Sequence, residues 1–288
     1  MIEKYYDGAI EQVAAGLGTV EKNHLLVRYS GQFSVENLND TKQLEKNEDI
    51  FVQVHEFETG EITCAYEPYL TMICDGFRRY MTGTFEEFME TCDVYYLHRP
   101  VLLGYFNQDN TGREEIILLD EVAYEQERML AALERMLCAI ADRHPVLFVL
   151  NRFQLASKST MQLTARFLKC ENCNIGLVLG VSDIQAMPEF LVPDWEMLYE
   201  TLDDGSKIYH IGNSGRKKEE TIDDEKYVDY GSEKVYRKLQ NMVEFLDFDQ
   251  AAYYLETIER KIKFDNLLVD DAARFRMWLL FVKVSILR

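Results

Sequence analysis

Two short apolar runs bracket one amphipathic stretch between His144 and Asp183, and they constrain the fold more than any other feature. Val146 to Leu150 is unbroken in its apolar character, too short for a typical helix, and preceded by Pro145. Ile175 to Val181 is apolar again and contains Gly176 and Gly180. Between them, Leu163, Phe167 and Leu168 recur at helical spacing, with Ser157 and Ser159 available to cap the start. Neither run alternates apolar and polar residues as a half-solvated sheet would. The pattern predicts strand, helix and strand in a parallel sheet covered on both faces.

The rest of the chain extends this pattern. Asp7 to Gly16 is a short helical pattern, and His24 to Tyr29 (HLLVRY) reads as a first buried strand. Asp49 to Glu58 (DIFVQVHEFE) alternates as a second strand, and Lys207 to Ile211 (KIYHI) reads as the last. Helical stripes run through Tyr69, Leu70, Ile73, Cys74 and Phe77, and through Met129, Leu130, Leu133, Met136, Leu137 and Ile140. Phe85 to Thr91 reads as helical, while Val101 to Tyr105 and Glu115 to Leu119 fit either an inserted hairpin or two helix ends around the turn cluster Asn107 to Gly112. Pro188 to Leu202 fits a helix or two short turns. Asn213 to Lys226 is polar and charged without apolar pattern, as a linker would be.

Beyond the linker the periodicity is purely helical. Val235, Leu239, Met242, Val243 and Leu246 form one stripe; Ala251, Ala252, Leu255, Ile258 and Ile262 form the next, entered through Asp247-Phe248-Asp249. That hinge, with Ala251 and Leu255 after it, resembles the turn between the two helices of a tetratricopeptide repeat. The last helix, opened by Asp270 and ending FRMWLLFVKVSILR, is apolar on nearly all sides. A helix of that kind requires cover, either from a longer repeat array or from a partner chain.

Over residues 1 to 212 the order of elements resembles signal-transduction ATPases of the STAND class, P-loop proteins related to AAA+ ATPases. In that family a buried strand ends in two acidic residues, and a loop with histidine, tryptophan, alanine and aspartate follows. A helix comes next, then a strand ending near an arginine. Here Asn151 and Arg152 stand where the acids belong, and Gln154, Leu155, Ala156 and Ser157 where the loop signature belongs. Ser182 and Asp183 follow the last strand, with no arginine. The phosphate-binding loop of the family falls after HLLVRY, on Ser30 to Leu38. It needs a second glycine, a lysine and a hydroxyl. Counting from Gly31, those positions hold Glu36, Asn37 and Leu38. A carboxylate facing triphosphate oxygens is repulsive.

Composition narrows the function classes further. The 288 residues carry a formal net charge of -19, which argues against nucleic acid, since phosphate neutralisation needs Lys and Arg, and disfavours anionic membranes. The start MIEKYYDGAIEQ has no secretory pattern, and no apolar run is long enough to span a bilayer. Six scattered cysteines (Cys64, Cys74, Cys92, Cys138, Cys170, Cys173) are the usage of a reduced, cytoplasmic protein. Cys170-Glu171-Asn172-Cys173 spells C-x-x-C but has no second pair and no nearby histidine, so a chance pairing is expected. His55, Glu56, Glu58 and Glu61 fit no standard ligand spacing and read as a solvated strand end. His24, His98, His144 and His210 are isolated.

The expectation is therefore an α/β domain over 1–212 with a three-layer parallel sheet of P-loop type, a linker over 213–226, and an incomplete helical segment of tetratricopeptide character over 227–288. What the resemblance implies for function is a pseudo-ATPase module of a bacterial signalling or transcription-regulating protein, acting by protein contact or self-association through its C-terminal helices. It has no catalytic residues, metal or cofactor. Gly31, Glu36, Asn37, Asn151 and Arg152 mark the vestigial nucleotide site. The alternative is a switch that binds ATP with little or no hydrolysis.

Overall fold

The computed structural model describes residues 2–19, 24–29, 49–58, 61–108, 122–170, 174–182, 187–203, 207–211, 232–264 and 269–287. In chain order the elements are α1 (Ile2–Gly16), β1 (His24–Tyr29), β2 (Phe51–Glu56), α2 (Tyr69–Tyr80), α3 (Phe85–Thr91), α4 (Arg99–Asn107) and α5 (Val122–Ala141). Then come β3 (Val146–Asn151), α6 (Lys158–Lys169), β4 (Ile175–Ser182), α7 (Val192–Asp203), β5 (Lys207–Ile211), α8 (Glu233–Glu244), α9 (Phe248–Phe264) and α10 (Asp271–Leu287). Short 3-10 turns precede α6 (Phe153–Leu155) and α7 (Glu189–Leu191).

The five strands form one sheet in the order β2-β3-β4-β1-β5, with every neighbouring pair parallel. Residues of β3 and β4 are buried along their whole length, which is why neither alternates in sequence. Alternate side chains face opposite layers. Leu25, Val27, Leu147, Val149 and Val178 meet Ala9, Ile10 and Val13 of α1 on one face. Leu26, Phe148, Leu150, Leu177 and Leu179 meet α2, α5 and α6 on the other. Each fully buried Leu or Phe on these faces contributes about 1.5–3 kcal/mol over leaving it in water. The α/β parallel-sheet reading of the sequence holds.

Over its described part, the stretch that fitted either a hairpin or helix ends is helical. Thr84 opens α3 with a reciprocal capping box to Glu87, and α4 closes at Gln108 in the left-handed region, φ 57°. Pro188 to Leu202 is a 3-10 turn followed by one helix. The linker at 213–226 lies outside the described residues.

Helices α8, α9 and α10 share an apolar cluster that includes Leu239, Met242, Ala251, Leu255, Met277 and Val284. That cluster also takes in Ile62 and Val122 of the α/β unit, and Phe245 sits in the main core. Among the described residues, no helix is long and apolar enough to cross a membrane.

Candidate functional site

The sheet order sets the ends of β1, β4 and β3 side by side, with β2 beyond β3. Open α/β sheets bind ligands at such carboxyl ends. Here the edge is tied together by hydrogen bonds. Asn151 ends β3 fully buried, and its Oδ1 accepts the Tyr29 hydroxyl from the end of β1 at 2.7 Å. Burial pushes the Tyr29 phenol up to about 12 against the pull of the nearby Arg152, so it stays a donor. Arg152, in the left-handed region at φ 51°, turns its guanidinium to Glu56 on β2, 3.3 Å away. Gln154 spans to the end of β4: its Nε2 donates to the Ser182 carbonyl at 3.2 Å and its Oε1 accepts the Ser182 N–H at 3.3 Å. One buried amide thus satisfies both backbone groups of the strand's last residue.

Of the five positions expected from the sequence to mark a nucleotide site, Asn151 and Arg152 lie at this edge. Gly31, Glu36 and Asn37 lie outside the described residues. Asn151 offers a neutral oxygen already taken by Tyr29, and Arg152 is a cation paired with a carboxylate. A divalent cation gains little from either group. The sequence pattern located both positions but could not show what each one touches.

The other residues weighed in the sequence meet named neighbours. His55 packs edge-on against Phe57 with ring centroids 4.5 Å apart, and burial lowers its basicity. Glu56 is paired with Arg152, and Glu61 with Lys238 at 2.5 Å. Buried His98 lies 3.0 Å from Glu125, and His144 stacks on Tyr80. Among the described residues, no group of three or more histidines, cysteines or carboxylates could hold a metal ion.

A second constellation escaped sequence reading. The first N–H groups of α6 have no partner within the helix. They are met by Gln250 Oε1 on Lys158 N–H (3.3 Å), Asp247 Oδ2 on Ser159 N–H (3.1 Å) and Ser157 Oγ on Thr160 N–H (3.2 Å). Of these three acceptors, Asp247 comes from the turn between α8 and α9 and Gln250 from the first turn of α9. The Lys158 ammonium pairs with Asp249 of the same turn. Asn241 Oδ1 accepts the Ala65 N–H at 3.1 Å, and Gln126 donates to the Leu246 carbonyl at 2.5 Å. The helical segment therefore grips the helix that starts seven residues after Asn151. Only the Asp-Phe-Asp hinge hinted at this in sequence.

Cavities of about 580 and 540 Å³ lie away from the strand ends, one among α2, α4 and α8, the other along α5 and α6. Comparison with known proteins returned neither a matching family model nor a matching curated protein.

Proposed function

We propose that this chain is a pseudo-ATPase module: a degenerate P-loop scaffold of the STAND type whose role is protein contact within a bacterial signalling or transcription-regulating protein. The reading rests on one observation above others. Where a hydrolytic site of that type needs two carboxylates, the strand end carries a buried Asn151 bonded to Tyr29 and an Arg152 paired with Glu56. Phosphoryl transfer needs a metal site and a group to orient water. Neither Asn151 nor Arg152 supplies one. The topology supports the reading as well, because phosphate and metal motifs on β1 and β3 would have to converge across β4 on a single ligand.

The contact surface in this reading is the helical segment. It is seated on α6 by Asp247 and Gln250, and it exposes Phe275, Trp278 and Leu279 on α10 to the extent of 59%, 57% and 48%. Contiguous apolar exposure of this kind marks an interaction site.

Thermal unfolding with and without magnesium-ATP tests the proposal. A ligand that binds only the folded state raises stability by RT ln(1 + [L]/Kd). The expected outcome is an unchanged midpoint up to millimolar nucleotide and no phosphate release above that of the heat-denatured sample. Saturable stabilisation without turnover would favour the alternative, an ATP-binding switch, and turnover abolished by substituting Asn151 would overturn both.

A further inference from the structure

Cys138 on α5 and Cys170, the residue that closes α6, hold their sulfurs 3.5 Å apart. Both are half-buried, whereas Cys64, Cys74 and Cys92 are buried. Burial pushes the thiols of those three up to about 12, 12 and 11, which keeps them protonated and inert. Cys138 is displaced further upward, first by its hydrogen bond with Cys170, then by burial and by the carboxylates of Glu134 and Asp142. Cys170 lines the adjoining cleft and Cys138 does not, so Cys170 is the sulfur that an incoming reagent meets first. The carboxyl end of α6 opposes a negative charge there, and the exposed ammonium of the adjoining Lys169 favours one.

Cys170 is accessible from a cleft, and Cys138 lies behind it at sulfur contact distance. The cleft of about 540 Å³ along α5 and α6 is lined by Gln126, Glu134, Arg166, Lys169 and Cys170, among others. Arg166 is neutralised by Glu127 and Glu134, so among the described lining residues Lys169 is the cation left to meet an anionic reagent. Cys170 stands where the chain leaves the helix, and that position can give the small displacement that brings two sulfurs from contact to a bond of about 2 Å.

We propose that this cleft is an oxidative modification site, in which Cys170 takes an anionic low-molecular-weight disulfide of the glutathione type and Cys138 resolves the adduct. Cys170 gives its proton to solvent, and the resulting thiolate attacks one sulfur of the reagent, whose S–S bond breaks and releases half of it as a thiolate. Cys138 gives its proton to solvent and attacks the Cys170 sulfur, expelling the second half. Two protein thiols are oxidised to a Cys138–Cys170 disulfide, and one small disulfide is reduced to two thiols. The product would tie α5 to one end of α6, while Asp247 and Gln250 hold the other end.

The test is incubation of the native full chain with oxidised glutathione, followed by alkylation and peptide mapping under non-reducing conditions. The expected result is a Cys138–Cys170 linked peptide formed before any modification of Cys64, Cys74 or Cys92. Cys138→Ser should stop at a persistent glutathione adduct on Cys170, and Cys170→Ser should leave Cys138 unmodified. A Cys170–Cys173 disulfide, first attack on Cys138, or reaction only after denaturation would overturn the proposal.

Discussion

Asp247 carries a carboxylate at the meeting point of two helix starts, accepting the Ser159 N–H of α6 and a backbone N–H from Gln250 of α9. Both helix dipoles favour the anion. Burial outweighs them, and the carboxyl is held above its ordinary value of 3.8. The folded state therefore binds this proton more tightly than the unfolded chain. Its contribution to stability is full below 3.8 and is lost as pH rises through the raised folded value. Asp247→Asn keeps an acceptor and removes the titration, so its stability at neutral pH should equal or exceed that of the parent. The parent should gain on the variant as pH falls through that window. Asp247→Ala leaves a buried N–H without its acceptor and should cost about 1–3 kcal/mol. Urea denaturation of the three proteins across pH 3–8 (about the span in which carboxylates titrate) reads both effects. Little of this was legible in sequence. The hinge Asp247-Phe248-Asp249 was visible, but its partner stands 88 positions away. In the same way, Asn151 was visible by its place after an apolar run, while its bond to Tyr29 spans 122 positions.

At the scale of elements, the pattern was readable wherever burial imposed a long, regular signature. Strands β3 and β4 are buried on both faces and wrote continuous apolar runs, and α5 is long enough to repeat its stripe over 20 residues. Helix α4, of 9 residues, completes too few turns for a helical period to separate from a strand's, whereas Phe85 to Thr91 of α3 was legible as helical. Both are held by a local aromatic cluster, in which Phe77 and Phe85 touch each other and each touches Phe88 and Phe106. The glycines of β4 were readable as letters but not as a cause. A Cβ on Gly176 would stand 2.5 Å from Val13 Cγ1 of α1 and 3.1 Å from Leu17 Cδ2, so the missing side chain lets α1 lie close against the sheet. Gly176→Ala should force α1 outward and cost about 1–3 kcal/mol, as overpacking does in tight cores. The combination with Val13→Ala should recover part of the loss, because neighbouring substitutions that share a contact are not additive. Chemical denaturation of the two single variants and the double variant measures that coupling, and strict additivity would show that α1 does not meet the sheet through this contact.

Charge is unevenly spread over the whole molecule. Residues 260–288 hold seven basic and three acidic side chains, a net of +4 within a chain of -19, so residues 1–259 carry -23. The apolar face of α10 lies in this basic piece. On its buried side Ala273, Met277, Leu280 and Val284 pack against α8 and α9, while Phe275 and Trp278 stack on each other on the outer side. A face-to-face pairing of two copies would bring exposed Arg274 and Lys283 of one toward those of the other. An acidic partner surface has no such repulsion, so charge favours a partner over symmetric self-association. The two sides of the helix should separate in experiment. Met277→Ala removes core packing and should cost about 2–5 kcal/mol. Phe275→Ser with Trp278→Ser removes only surface and should change stability by no more than about 0.5 kcal/mol at each site. The same double variant should lose association, whether with a partner or with itself, in sedimentation velocity at low salt. If association survives without both aromatics, the contact surface lies elsewhere on the molecule, and the basic, apolar end of the chain needs another explanation.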